Sequence, residues 1–168
     1  MRQMTADNLK AAFAGESQAH MRYLIFADKA QREGRENVAR LFRAIAYAEQ
    51  VHATNHYRAM DGIKTTADNL DVAIGGETFE VDEMYPAYLE VARLQDERRA
   101  QTSLNYALET EKVHAKMYQA AKEAAIRGDD VEIGPISVCE ICGYTIEGDL
   151  PERCPVCNAP RDKFKGFA

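Results

Sequence analysis

Apolar residues recur every three or four positions through most of the first 126 residues, a spacing that places them on one face of an α-helix. The pattern predicts four helices, at about residues 5–33, 36–61, 77–99 and 100–126. The connection between the first two is short, so these helices should lie antiparallel. Residues 63–76 would carry the chain across to the third helix. We therefore expect a mainly α protein built around a four-helix bundle with a long crossover.

The apolar faces of the second and fourth helices are interrupted near mid-helix by the same motif. Glu49-x-x-His52 lies in one, and Glu111-x-x-His114 lies in the other, 62 positions later. A glutamate and a histidine three residues apart share one face of a helix. Two such pairs, with a carboxylate from each of two other helices, form the ligand set of ferritin-like di-iron bundles. A single pair is typical of a surface ion pair, but the repetition favours a metal site.

Further carboxylates are expected from the first and third helices. Glu16 lies on the otherwise apolar face of the first helix, where an unpaired charge would be costly. The sequence of residues 5–9 returns at 66–70, so the bundle resembles a duplicated helix pair. A strict repeat makes Glu77 the partner of Glu16 in the third helix.

The third helix nevertheless offers a choice of ligands. Glu80 and Glu83 would lie closer to the metal if this helix has slipped or bulged by a turn. Pro86 removes a backbone donor and would loosen the preceding turn. The spacing alone leaves the choice between Glu77, Glu80 and Glu83 open.

The last thirty residues contain all the cysteines, as two Cys-x-x-Cys pairs: Cys139, Cys142, Cys154 and Cys157. So short a segment cannot bury enough apolar surface to fold unaided, so a bound metal should hold it together. Four thiolates suit tetrahedral zinc or iron. Iron is favoured because a redox-active di-iron site needs an entry point for electrons. The predicted domains are a bundle at 1–126, a linker at 127–137 and a four-cysteine domain at 138–168.

Composition excludes several classes of function. The formal net charge of -6 argues against a nucleic-acid binder. The first residues contain no apolar run, so neither a secretory signal nor a membrane span is expected. Clustered cysteines of this kind indicate a metal site in a cytoplasmic protein. No Gly-x-Gly-x-x-Gly motif is present, so a nicotinamide cofactor should not bind directly.

These motifs together resemble those of the rubrerythrins. The resemblance rests on residues 13–19, both Glu-x-x-His motifs, the Glu-Met-Tyr-Pro run at 83–86 and the cysteine pairs, and it covers nearly the whole chain. It implies a rubredoxin-like C-terminal domain with one iron on the four cysteines, for which zinc could substitute. The di-iron ligands it implies are Glu16, Glu49, His52, Glu80, Glu83, Glu111 and His114. It leaves Glu77 and His20, which stands where an arginine is expected, without an assigned role.

The resemblance also implies an activity. Rubrerythrins are non-haem di-iron peroxidases, which reduce hydrogen peroxide to water and protect against oxidative stress. Electrons would come from an external NAD(P)H-linked reductase or a rubredoxin and pass through the four-cysteine iron. The tail of one subunit is expected against the bundle of another, which implies a homodimer or a higher homo-oligomer.

Four residues are expected to take part in the reaction. The resemblance implies that one iron exchanges a third-helix carboxylate, Glu83, for His52 when the site is reduced. Tyr23 and Tyr88 match positions where a phenol could orient a ligating carboxylate, although core packing would also explain a tyrosine there. The rival functions are ferritin-like iron oxidation, which would not need the redox tail, and a non-enzymatic scaffold with structural zinc.

Overall fold

The computed structural model describes residues 1–167 and begins with a pair of long helices. Helix α1 is Gln3–Arg32 and helix α2 is Glu36–Ala59, close to the predicted bounds. Gly34 in the connection has a φ of 72°, a left-handed conformation that favours glycine. The three-residue connection makes the two helices an antiparallel hairpin.

The hairpin packs through small side chains. Ala27, Ala39 and Ala46 are fully buried, and the absence of larger groups there lets the two backbones approach closely. Larger apolar side chains stay on the outside: Ile25 is 58% exposed and Leu41 is 57% exposed. The hairpin therefore keeps an apolar surface that its own packing does not bury.

A second helical region follows, and its start corrects the sequence prediction. Helix α3 is Thr66–Phe79, so the expectation of a crossover at 63–76 and of a helix beginning near 77 is wrong. The hydroxyl of Thr65 accepts the backbone N–H of Asp68 and caps the helix from its first turn. The cap outweighs the weak apolar periodicity of this stretch, which contains Gly75 and Gly76.

The third predicted helix is interrupted by a bulge. A π-helical segment, Glu80–Met84, joins α3 to α4 at Tyr85–Leu94, and α5 is Arg98–Arg127. The offset between equivalent residues of the repeat changes within this region. Glu77 lies 61 positions after Glu16, whereas Asp96, which like Gly34 has a positive φ, lies 62 positions after Gly34. A π-bulge adds one residue to a helix, so this segment accounts for the change in spacing. The sequence left a slip or a bulge of this helix open, and the structure contains a bulge of one residue.

The C-terminal residues form a small antiparallel sheet. Its strands are β1 at Ile136–Cys139, β2 at Thr145–Glu147 and β3 at Phe164–Phe167, in the order β2-β1-β3. A single 3₁₀ turn, Arg161–Lys163, precedes β3. Helix α5 ends with Gly128 at a φ of 83°, and the chain then runs without regular structure to β1.

The chain divides into two compact units, residues 1–64 and the remainder from Thr65 onward. Among residues 1–167, no helix is both long enough and apolar enough to cross a membrane.

Candidate metal centres

The first unit brings three of the expected ligands together. Ligand atoms of Glu16, Glu49 and His52 all lie within 4.8 Å of one another. The Nδ1 atom of His52 is 2.9 Å from a carboxylate oxygen of Glu49. Glu49 is well covered, with 16% of its side chain exposed, whereas the His52 side chain is 54% exposed. This unit offers two carboxylates and one imidazole on a single helix pair.

The second unit contains an equivalent set on α3 and α5. Ligand atoms of Glu77, Glu111 and His114 also lie within 4.8 Å of one another. The Nδ1 atom of His114 is 2.6 Å from Glu111 and 4.0 Å from Glu77. All three side chains are at most 28% exposed. The duplicated sequence therefore produces a duplicated triad of ligands.

The raised pKa of Glu77 is typical of a carboxyl group in a cation-binding site. Burial, a hydrogen bond with Glu111 and the charges of Glu111 and Glu80 raise the pKa of Glu77 to about 7. Two carboxyl groups this close cannot both ionise easily without a positive charge between them. Oxygen and imidazole donors in this ratio suit iron, so the residues fit a di-iron centre.

The remaining third-helix carboxylates lie on the π-helical segment. Burial, together with the negative charge of Glu111, raises the pKa of Glu80, so this carboxyl group lies near the triad. Glu83 is exposed and is not part of the triad. Glu80 and Glu83 as ligands therefore stay predictions, whereas Glu77, which the strict repeat pointed to, is in place.

The two tyrosines singled out from the sequence have different surroundings. Tyr23 is half-buried and packs against Phe26 and Phe42, with ring centroids 6.4 and 6.0 Å away. Tyr88 is 51% exposed. Sequence reasoning missed Tyr85, whose pKa is raised by burial and by the charges of carboxylates including Glu80 and Glu111. Tyr85 is the repeat equivalent of Tyr23, and that relation could have identified it.

His20 joins the two helices of the first unit. Its Nδ1 atom is 2.8 Å from the carbonyl oxygen of Ala46, so the ring N–H donates across the hairpin from α1 to α2. This hydrogen bond gives His20 a structural role between α1 and α2.

The four cysteines converge in the tail. Sγ of Cys139 is 3.6 Å from that of Cys157, and Sγ of Cys142 is 3.5 Å from that of Cys154. These separations are far too long for a disulfide. They approach the distance of about 3.8 Å between two sulfurs of a tetrahedron whose metal–sulfur bonds are about 2.3 Å. The cluster therefore has the geometry of a four-thiolate metal site.

The protein environment tunes these thiols individually. Burial raises the pKa of Cys142. Burial also opposes ionisation of Cys154, but the backbone N–H groups of Cys157 and Val156 point at its sulfur and lower its pKa overall. Backbone donors of this kind stabilise thiolates bound to a metal.

The tail packs against α5 of its own chain. Thr110 donates from Oγ1 to the carbonyl of Tyr106 and lies 3.4 Å from the carbonyl of Cys142. One turn further along α5, Nε2 of His114 lies 2.8 Å from Oγ1 of Thr145. Contact of the tail with the bundle of another subunit stays a prediction. The connection from Gly128 to Pro135 spans about 26 Å when extended, enough to return the chain along three turns of helix.

Comparison with known proteins agrees with these sites. A family model described as rubrerythrin matches residues 7–122, and one described as the rubredoxin-like domain of rubrerythrin matches residues 138–165. Rubrerythrin-2 of Clostridium acetobutylicum is 44% identical over 98% of this chain and 97% of its own length. Nigerythrin of Nitratidesulfovibrio vulgaris is 34% identical over 97% of this chain and 86% of its own length. The solved structure of fully reduced, all-ferrous nigerythrin matches with a TM-score of 0.55 at 35% identity, covering 97% of this chain and 86% of that one.

Proposed function

Because the chain belongs to the rubrerythrin family, we propose that it is a non-haem di-iron peroxidase that reduces hydrogen peroxide to water and protects against oxidative stress. Members of this family are oxidoreductases with a di-iron site among bundle carboxylates and one iron on four cysteines. The observation that carries the proposal is the coexistence of two Glu–Glu–His triads and a four-cysteine cluster in one chain.

The ligand chemistry suits such a site. Two ferrous ions would supply the two electrons that hydrogen peroxide takes up when its O–O bond is broken. Each triad alone offers only two carboxylates and one imidazole, too few for a pair of ions, so we infer that both triads contribute. The four carboxylates would neutralise the four positive charges of two ferrous ions, and Glu80 and Glu83 would be further donors for the more highly charged ferric state.

The chain's own residues would manage protons and ligand orientation. Glu77 and Glu111 share a hydrogen bond in the absence of a metal, so metal binding must displace a proton from this pair. Burial and the charges of Glu80, Glu111 and Glu77 raise the pKa of Tyr85, so its phenol lies near these carboxylates. We extend to Tyr85 the orienting role predicted for Tyr23 and Tyr88.

The position of the tail supports the electron relay. The backbone of the first cysteine knuckle contacts α5 at Thr110, and Thr145 contacts His114. An electron on the four-cysteine metal would thus enter close to one of the di-iron ligands. An external NAD(P)H-linked reductase or a rubredoxin is the proposed donor, and a cytoplasmic location stays a prediction.

A homodimer is the proposed assembly. Ile25 and Leu41 leave more than half of their surface exposed on the hairpin, and Val38 and Phe26 more than two-fifths. Several large apolar side chains left exposed on one helix pair are typical of an interaction site. We assign it to a second copy of the chain, since a triad on this hairpin is incomplete by itself. Leu41→Glu should lower the mass in solution to that of a monomer in light scattering, whereas the exposed Leu94→Glu should not. Unchanged mass in Leu41→Glu would contradict this interface.

An anaerobic assay tests the proposed activity. The ferrous protein should consume one peroxide per di-iron site in a single turnover, and should continue to do so when a reductase and NAD(P)H are supplied. Glu111→Ala should abolish turnover but keep the absorption of the ferric four-cysteine site. The partly exposed carboxylate Glu109, which pairs with Lys112 outside both triads, provides the control, and Glu109→Ala should retain activity.

The rival ferroxidase function gives a different result. An iron-oxidising store would consume oxygen faster than peroxide and accumulate ferric ions beyond three per chain. That outcome, or full peroxide turnover in Glu111→Ala, would overturn the proposal.

A further inference from the structure

The contact between His114 and the tail determines which ring nitrogen is free. The hydroxyl of Thr145 lies 2.8 Å from Nε2 of His114 and 3.1 Å from the carbonyl oxygen of Gly143. A hydroxyl has a single hydrogen, and the carbonyl can only accept. Both contacts are hydrogen bonds only if Thr145 donates to Gly143 and accepts from the Nε2–H of His114.

That arrangement presents the opposite nitrogen to the carboxylates. The Nδ1 atom of His114 faces Glu111 at 2.6 Å and Glu77 at 4.0 Å. A histidine ligates a metal through its unprotonated nitrogen and commonly donates from the other nitrogen to a fixed acceptor. With the proton held on Nε2, Nδ1 is the nitrogen left to ligate a metal.

The surroundings protect this hydrogen bond. Thr145 is 7% exposed. A small cavity of about 190 Å³ beside the contact is lined by His114 and Thr145 and by the side chains of Met117, Tyr118 and Ile136. In apolar surroundings water competes poorly for the imidazole N–H, so the bond is stronger than it would be at the surface.

We propose that Thr145 is a positioning residue for the di-iron site, through which the rubredoxin-like domain fixes the tautomer and orientation of His114. Gly143 belongs to the first cysteine knuckle, so the chain of hydrogen bonds runs from that knuckle through Thr145 to the metal ligand. Folding of the tail around its own metal should therefore strengthen iron binding in the bundle. This inference rests on the assignment of His114 as a ligand in the proposed function.

The tautomer can be measured without turnover. In protein given one zinc per chain, to fill the four-cysteine site, nitrogen-15 NMR should find His114 protonated on Nε2 in the wild type. Thr145→Val keeps the shape of the side chain but removes the acceptor, so the Nε2 resonance should shift. Thr145→Ser should restore the wild-type spectrum. Thr110 is a buried threonine in the same tail contact whose hydroxyl bonds to the carbonyls of Tyr106 and Cys142 and not to His114, so Thr110→Val should leave that spectrum unchanged.

Iron affinity is the second measurement. Loss of a hydrogen bond that orients a metal-ligating histidine typically weakens metal binding by about 10- to 100-fold. Ferrous titration of the bundle site should show a loss of that order in Thr145→Val and near wild-type binding in Thr145→Ser. If Thr145→Val gives the wild-type His114 spectrum and affinity, or if Thr145→Ser fails as the valine variant does, the proposal is wrong.

Two controls separate other causes. If Thr145→Val loses the four-cysteine metal, the measurements are repeated with Thr145→Ala. Loss of that metal in both variants would overturn the proposal, because Thr145 would then act on the four-cysteine site and not on His114. Absence of peroxide turnover in the wild type would refute the proposed function but would leave the His114 spectra and iron affinities as an independent test.

Discussion

The pKa of Glu77 reflects the groups that surround its carboxyl group. Burial and its hydrogen bond with Glu111 are the largest causes of its raised pKa. The energetic cost of ionising it is therefore present in the folded chain and absent in the unfolded one. A cation bound between the two carboxylates would reverse that cost, which links iron binding to folding.

The metal-free bundle should consequently lose stability as the pH rises. The pKa of Glu77 is about 7 in the folded chain, against an ordinary value of 4.5. Between these values the folded state binds more protons than the unfolded state, so the free energy of unfolding falls with increasing pH. Glu77→Gln, which stays neutral, should flatten this dependence. Urea unfolding of wild type and variant from pH 5 to 8 measures it, and parallel curves would contradict the expectation.

At the scale of elements, the π-helical segment is the main departure from the internal repeat. It inserts one residue between Glu77 and the rest of the helix pair, and it carries both Glu80 and Glu83. Pro86 follows at the start of α4, where the missing backbone donor helps the wider turn to persist. The insertion gives the second unit carboxylates that have no counterpart in the first unit.

We expect Glu83 to be the ligand that responds to oxidation state. It is exposed, and His52 is also more than half exposed, so neither is held by tight packing. Glu83→Ala should still bind two ferrous ions, but should destabilise the ferric state and raise the reduction potential. Spectroelectrochemical titration measures this shift, with the exposed neighbour Asp82→Ala as the control.

Structures of the oxidised and reduced forms provide a direct check of the exchange. Glu83 should bind iron in the oxidised form, and His52 should replace it in the reduced form. Identical coordination of both residues in the two states would refute the exchange even with the family assignment intact.

At the scale of the whole molecule, the tail is linked to the helices through few direct contacts. Thr110 and His114 supply the side-chain hydrogen bonds from α5 to the tail. The sheet and the four-cysteine cluster lie entirely within residues 136–167. Such a segment should fold around its own metal and be dispensable for helix formation.

Truncation after Ser137 should therefore leave a helical protein. It should still bind two irons, about 10-fold more weakly because His114 has lost its acceptor, and should lose its rapid reduction by an external reductase. Circular dichroism, ferrous titration and stopped-flow reduction measure these effects. Unfolding of the truncated chain, or complete loss of the di-iron site, would contradict the separation of tail and bundle.

The sequence by itself determined the helical class, the two Glu-x-x-His motifs and the four-cysteine cluster. These features depend on short-range spacing: three residues on a helix bring Glu111 and His114 to one face, and two residues between cysteines make a knuckle. The sequence does not predict a helix at residues 66–76 because their apolar pattern is weak. The cap at Thr65 begins the helix there.

Only the tertiary structure decided which partners these local features meet. Glu77 joins Glu111 and His114, and the hydroxyl of Thr145 reaches His114, because α3, α5 and the tail pack together over long separations in sequence. Glu77 precedes the inserted residue and joins this triad, whereas every side chain after the insertion is rotated by about 100° around the helix. Periodicity tolerates such an insertion, but the geometry of a metal site does not.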